Sequence, residues 1–218
     1  MENKIPKKIH LIWLGNERPK KFDFLLEKIK KINIGYEVIE WNDNNIDFEL
    51  INKRLFNETE NLGSKSDILR FELLYKYGGI YMDYDFLQVK PFDALLDCDF
   101  FAGADENNPN EVWNSIVGST PNNLICENFL KGLLNNAPIR KYEISRVMNE
   151  TGPYYLTNLI HNNKWDYDIK LLIGDYFYSF PGSKRHTIRN LNETEINFIE
   201  SFITDNTFCI HLFTTTWQ

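Results

Sequence analysis

The sequence predicts an α/β domain with a mostly parallel central sheet flanked by helices, and three observations carry that expectation. Ile9 to Gly15 is a nearly continuous apolar run ended by glycine, the pattern of a strand buried on both faces. Lys20 to Ile32 sets Phe22, Leu25, Leu26, Ile29 and Ile32 at helical spacing, and Tyr36 to Trp41 then alternates like a strand. A second helix, glycine turn and strand follow between Ser64 and Phe86, which repeats the alternation expected of an α/β chain.

Taken in order, the first strand leads to a helix whose outer face carries lysines, then to the second strand and an Asn42–Asn45 loop. The next helix has Ser64, Ser66 and Asp67 as capping oxygens and a broad apolar face through Ile68, Leu69, Phe71, Leu73, Leu74 and Tyr75. Gly78-Gly79 ends it, because glycine tolerates the left-handed backbone of a helix C-terminus. Ile80 to Phe86 reads as one strand, and Asp99 to Ala104 as another. A helix runs from Leu124 to Leu134, and Gly152-Pro153 starts a further one, with proline pre-set for the first turn. Phe208 to Phe213 is a last short strand before a Thr-rich tail ending in Trp217 and Gln218.

The chain of 218 residues reads as one domain over 1–218, with a ligand-binding half over 1–95 and a second half over 96–218. No apolar run spans a bilayer and the start has no secretory pattern, so a cytoplasmic location is expected. Cys98, Cys126 and Cys209 are odd in number and widely spaced, as in reduced, buried thiols. The formal charge of −7 is uneven: nine Lys/Arg and four Asp/Glu give residues 1–31 a balance of +5, leaving −12 elsewhere. That acidic body disfavours nucleic acid. The basic N-terminal helix reads first as a solvated face and second as a peripheral contact with the inner, anionic membrane surface.

The chemistry centres on Asp83-Tyr84-Asp85. Asp-x-Asp also occurs at Asp97/Asp99 and Asp166/Asp168, but those pairs fall in expected loops. The first follows a capped helix and a Gly-Gly turn at the end of an apolar strand, and ligands bind at the carboxyl ends of strands in open α/β sheets. Two aspartates one residue apart on a strand face one side, as a hard divalent cation requires. Breaking a sugar–diphosphate bond builds negative charge on the leaving nucleotide, and such a cation offsets it.

Ser66-Asp67-Ile68-Leu69-Arg70 followed by Tyr77-Gly78-Gly79-Ile80-Tyr81-Met82-Asp83-Tyr84-Asp85 resembles the sugar-binding DXD region of glycosyltransferase family 32. That family includes capsule and lipopolysaccharide transferases and fungal initiating mannosyltransferases, and the segment also resembles the glucosyltransferase domain of large clostridial toxins. Ile5 to Gly15 is similar to the family's opening strand, and the resemblance thins after residue 95.

The resemblance implies a GT-A fold and a retaining, Mn²⁺- or Mg²⁺-dependent hexosyltransferase. Asp85 would then ligate the metal directly, and Asp83 would hold donor hydroxyls or reach the metal through water. Asp67 and Arg70 match donor-sugar positions, with Arg70 also near the phosphates and grouped with the two aspartates as catalytic. Tyr81 matches a donor-contacting aromatic, and Ile12 and Trp13 match positions beside the base. At the C-terminus, His211 is the expected further ligand, Thr214 to Thr216 supply a hydroxyl, and Trp217 closes over the donor. The expected donor is UDP-glucose or UDP-galactose, with GDP-mannose second, and the acceptor a glycan or lipid-linked sugar in bacterial surface polysaccharide synthesis. An effector that glycosylates a host protein and an inactive nucleotide-sugar-binding protein are the alternatives.

Asp105 and Glu106 are the only placed candidates for a carboxylate nucleophile, which a double displacement needs and a front-face route does not. Gly182 to His186 is a basic stretch with phosphate-binding chemistry, or a solvated loop. A phosphohydrolase reading fails on Leu87, which stands where Asp-x-Asp-x-Thr/Val enzymes carry Thr or Val. No glycine-rich phosphate loop or dinucleotide fingerprint is present.

Overall fold

The computed structural model describes residues 3–105 and 108–214. Its first half contains β1 (Lys8–Ile12), α1 (Asp23–Ile32), β2 (Glu37–Trp41), α2 (Lys53–Glu58), α3 (Leu62–Tyr77), β3 (Gly79–Met82) and β4 (Phe86–Gln88). There follow β5 (Phe100–Ala104), β6 (Val112–Ser119), α4 (Leu124–Leu133), α5 (Ile144–Glu150), α6 (Pro153–His161), β7 (Ile169–Ile173), α7 (Glu193–Glu200) and β8 (Cys209–His211).

Six strands form the main sheet in the order β2-β1-β3-β6-β5-β7, so both halves of the chain contribute to it. Every strand but β6 points the same way; β6 is antiparallel to β3 and β5. The sequence reading had no strand at β6. Asn114 and Ser115 break its apolar run, and they are tolerated because each finds a partner, Asp67 and Tyr178 respectively. The short α5 was also not anticipated.

Helices cover both faces, which is why β1 reads as an unbroken apolar run. On one side α3, α4 and α6 pack together, with Phe71 stacked on Phe129 at 3.6 Å between ring centroids. On the other, Leu26 and Ile29 of α1 meet Ile9, Leu11, Ile80 and Met82. A third cluster joins Phe22 and Leu25 to Leu87, Ile210 and Leu212, tying the C-terminal strand to the start of the chain.

Two local expectations are corrected. Helix α3 begins at Leu62, capped by Asn61 accepting from Ser64 N–H, so Ser64, Ser66 and Asp67 lie inside the helix and not at its cap. The Ile80–Phe86 strand is broken: after Met82 the chain leaves β6, turns through Asp83, Tyr84 and Asp85, and resumes as β4 against β8. The Asp triplet therefore sits on a turn between two sheets, beyond the carboxyl end of β3.

Gly78 and Gly79 hold this architecture at φ values of +62° and +100°, and a Cβ on Gly79 would lie 2.8 Å from the Lys8 carbonyl oxygen. His10, fully buried beside them, donates from Nε2 to the Gly78 carbonyl at 2.9 Å and accepts from Trp41 Nε1 at 3.1 Å. Burial lowers its pKa from 6.5 to about 4. Unfolded chains therefore take up a proton on His10 that the folded chain refuses between pH 6.5 and 4. Its contribution is whole above pH 6.5 and is lost on acidification, by up to about 3 kcal/mol. We predict that His10→Gln is less stable than wild type at pH 7.5, and that urea melts show the gap narrowing steadily toward pH 4. A gap independent of pH would refute this. The comparison between variants cancels the opposing contribution of Asp67.

No described helix is long and apolar enough to cross a membrane. Much of the N-terminal positive charge is spent inside the molecule, with Lys4, Lys7, Lys28 and Lys30 paired to Asp99, Asp93, Glu200 and Glu40. Cys98, Cys126 and Cys209 are buried and unpaired.

Candidate active site

A cleft of about 370 Å³ opens at the carboxyl ends of β1 and β3. Ile12 and Trp13 line it from β1 and the residue after it, Asp67 and Arg70 from α3, Tyr81 from β3, Asp83 and Asp85 from the turn, and His211 from β8. Those eight expected site residues thus share one cavity, whereas Thr214 and Asp105, also expected near the site, do not line it. Trp217, Thr215, Thr216 and Glu106 lie outside the described residues.

Asp67 and Arg70, one helical turn apart, form a buried ion pair at 3.0 Å. Each is further held. Asn114 donates to Asp67 Oδ1 at 2.9 Å and Thr151 to Oδ2 at 3.1 Å. Arg70 donates to the Asn114 and Ser66 carbonyls and to Ser66 Oγ, and lies 4.3 Å over the Tyr81 ring. Burial lifts Asp67 to about 7, against the opposing pull of Arg70 and Thr151. Both Arg70 terminal nitrogens and Nε are therefore committed to the protein. Asn114, Trp113 and Ser66 were not anticipated as site residues; the Trp-Asn-Ser interruption of an apolar run was the available signal, while Thr151 falls in the 149–152 segment, whose sequence resembles the family's stretch near the sugar and acceptor.

The two aspartates of the triplet have different surroundings. Asp83 accepts from Tyr81 OH and lies 3.8 Å from Arg70; burial raises its pKa, with Arg70 opposing. Asp85 is gripped by the C-terminal segment. Thr214 donates to its Oδ2 from both N–H, at 2.8 Å, and Oγ1, at 2.9 Å, and His211 Nε2 lies 3.2 Å from Oδ1. Burial works to raise Asp85, but the attraction of His211 and these hydrogen bonds outweigh it, holding the carboxyl at about 2. Burial would lower His211, and the facing Asp85 more than reverses that.

Strand pairing explains how His211 arrives. β8 lies antiparallel to β4 with His211 opposite Phe86, one residue past Asp85, and the imidazole stacks on the Phe86 ring at 4.6 Å. Asp83, Asp85 and His211 each offer one ligand atom, and these lie within 4.8 Å of one another. Two carboxylate oxygens and an imidazole nitrogen form a donor set that fits a divalent metal ion. The His211 Nδ1 is buried with no hydrogen-bond partner among the described residues, and the ring packs against Phe86, Phe213 and Tyr178.

The other Asp-x-Asp pairs are structural. Asp97 pairs with Lys170, and Asp99 accepts from Lys4 and from the Asp168 N–H. Asp105 accepts from Asn108 N–H at 2.9 Å in the turn after β5 and is not part of the cleft lining. Of the basic 182–187 turn, Arg185 reaches the cleft while His186 does not line it.

Residues 19–102 match the model of the glycosyltransferase sugar-binding region containing the DXD motif. An uncharacterized glycosyltransferase of Acanthamoeba polyphaga mimivirus is 29% identical over 188 residues, covering 80% of this chain and 73% of that protein. Inositol phosphoceramide mannosyltransferase 3 of Schizosaccharomyces pombe is 27% identical over 159 residues, 70% of this chain but 44% of its own length. The chain thus spans less than half of that fungal relative. Among solved structures, the PaToxG glycosyltransferase superposes with a TM-score of 0.61 at 22% identity, covering 72% of this chain and 69% of that one. The UDP-bound glycosyltransferase domain of the YGT toxin gives 0.53 at 11% identity, covering 92% and 90%. With the fold, the helix–Gly-Gly–strand–Asp-x-Asp order and the matched region in agreement, residues 19–102 carry a glycosyltransferase sugar-binding region containing the DXD motif, and the chain is a glycosyltransferase on a GT-A fold.

Proposed function

We propose that this glycosyltransferase moves a hexose from a nucleoside diphosphate sugar to a hydroxyl acceptor, dependent on Mn²⁺ or Mg²⁺ and with retention at the anomeric carbon. The observation that carries the proposal is the convergence of Asp83 and Asp85, from the turn after β3, and His211, from β8, on one point of the cleft. When bound there, the metal would offset charge on the leaving diphosphate. Asp67 and Arg70 then fix the sugar-facing wall, because their mutual pairing leaves neither free to swing. Ile12 and Trp13 form the apolar end suited to a base; Trp13 packs edge-on to Tyr84 at 5.9 Å and donates to the Asn16 carbonyl.

Retention favours a front-face route. Among the described residues the cleft carboxylates are Asp67, Asp83 and Asp85, and each is already engaged by Arg70, Tyr81 or Thr214. None is a free nucleophile of the kind a double displacement needs. In the front-face route the leaving phosphate takes the acceptor proton.

The donor is proposed as a UDP-hexose, in keeping with the UDP-bound YGT toxin domain, with GDP-mannose second, in keeping with the mannosyltransferase relatives. We place the enzyme in surface glycan synthesis, on a glycan or lipid-linked acceptor at the inner face of the membrane. The test is thermal melting with UDP or GDP, each with and without Mn²⁺. A shift of several degrees with one nucleotide, only when Mn²⁺ is present, is expected by mass action. A folded chain unmoved by either nucleotide would sink the proposal.

A further inference from the structure

We infer that Arg185 is the diphosphate-binding cation of this cleft, an inference that rests on the nucleotide-sugar reading above. The site is short of positive charge. Asp83 and Asp85 already match a divalent cation, and a nucleoside diphosphate sugar adds two more negative charges, which become three when the sugar departs. Of the two arginines lining the cleft, Arg70 is consumed by Asp67, Asn114 and Ser66, as described, and stays buried. Arg185 is the other, and its guanidinium has no hydrogen bond or ion pair among the described residues.

Its placement fits that role. Arg185 stands on the Gly182–Thr187 turn, whose first residue packs against the Phe213 ring, with a Cβ built at Gly182 lying 3.6 Å from it. Phe213 in turn lies 4.3 Å from the His211 ring, so the turn is anchored beside the proposed metal ligands. Ile188, just past the turn, is buried in the third core cluster with Phe22 and Leu212, which fixes the far end. Among its basic neighbours, Lys184 lies over the Phe202 and Phe198 rings at 4.8 and 5.5 Å and is spent there. Arginine also suits the ligand, because its planar fork meets phosphate oxygens two at a time and remains charged at any working pH. An exposed side chain on a short turn can follow the phosphate as charge builds on it, which the buried Arg70 cannot do.

Isothermal titration in Mn²⁺ of UDP, UMP and uridine, and of GDP, GMP and guanosine, into wild type, Arg185→Gln, Arg185→Lys and Lys184→Gln tests the inference. Arg185→Gln is expected to weaken the diphosphate by about tenfold or more while leaving the nucleoside unchanged. Arg185→Lys should recover part of the loss, and Lys184→Gln should match wild type. The diphosphate affinity of wild type should also fall more steeply with salt than that of Arg185→Gln. Unchanged diphosphate affinity in Arg185→Gln, or equal losses for diphosphate and nucleoside, overturns the assignment alone. A wild-type chain that binds no nucleoside diphosphate overturns both this assignment and the nucleotide-sugar reading.

Discussion

Asp85→Asn is expected to reduce glycosyl transfer by about a thousandfold or more, and to abolish the Mn²⁺-dependent nucleotide shift. The substitution keeps the side chain's size and leaves an oxygen for Thr214, whose N–H and hydroxyl both bond Oδ2. It removes the charge that faces His211 and that a divalent cation requires. The backbone contact from Leu212 N–H to the Asp85 carbonyl is untouched, so circular dichroism should report a folded chain. Asp83→Asn should cost less, because Asp83 also leans on Tyr81 and Arg70. Transfer by Asp85→Asn within tenfold of wild type, at saturating Mn²⁺, would remove Asp85 from the metal role.

The second large effect falls on stability. Arg70→Ala removes the charge that holds the buried Asp67 carboxyl ionised, so that it must take up a proton or remain unpaired, and leaves the Asn114 carbonyl without its donor. The expected loss is about 3–5 kcal/mol, or roughly 10 °C in Tm for a chain of this length. Arg70→Lys should restore little, because one ammonium cannot reach Asp67, Ser66 and Asn114 from a single point. The double variant Arg70→Met with Asp67→Asn should recover much of the loss, since it removes both charges together. Calorimetric melts decide it. A single-variant loss below about 1 kcal/mol would mean that the pair contributes little to the fold.

The elements legible in the sequence are those whose pattern is local. The apolar run of β1, the amphipathic face of α1, the alternation of β2 and the glycine stop after α3 each need only nearby residues to be read. The Gly-Pro start of α6 and the short β8 are of the same kind. Helix α3 shows the limit. Its apolar face is plain, but Ser64, Asp67, Arg70 and Glu72 are buried as well, because the helix lies between the sheet, α2 and α4 and is covered all round. Asp67 therefore reads as a cap from its neighbours and acts as a buried half of an ion pair.

Sequence by itself determined the α/β class, the position of the Asp-x-Asp triplet and the identity of most charged cleft residues, since periodicity, glycine punctuation and a recognisable segment are all properties of adjacent positions. Tertiary structure alone decided that β6 runs against its neighbours, that the triplet lies on a turn between two sheets, and that Arg185 lines the cleft. It also decided that His211 meets Asp85, a contact set by the pairing of β4 with β8 across more than a hundred residues. Such pairings depend on which buried surfaces find each other when the chain collapses, and no local pattern encodes that choice.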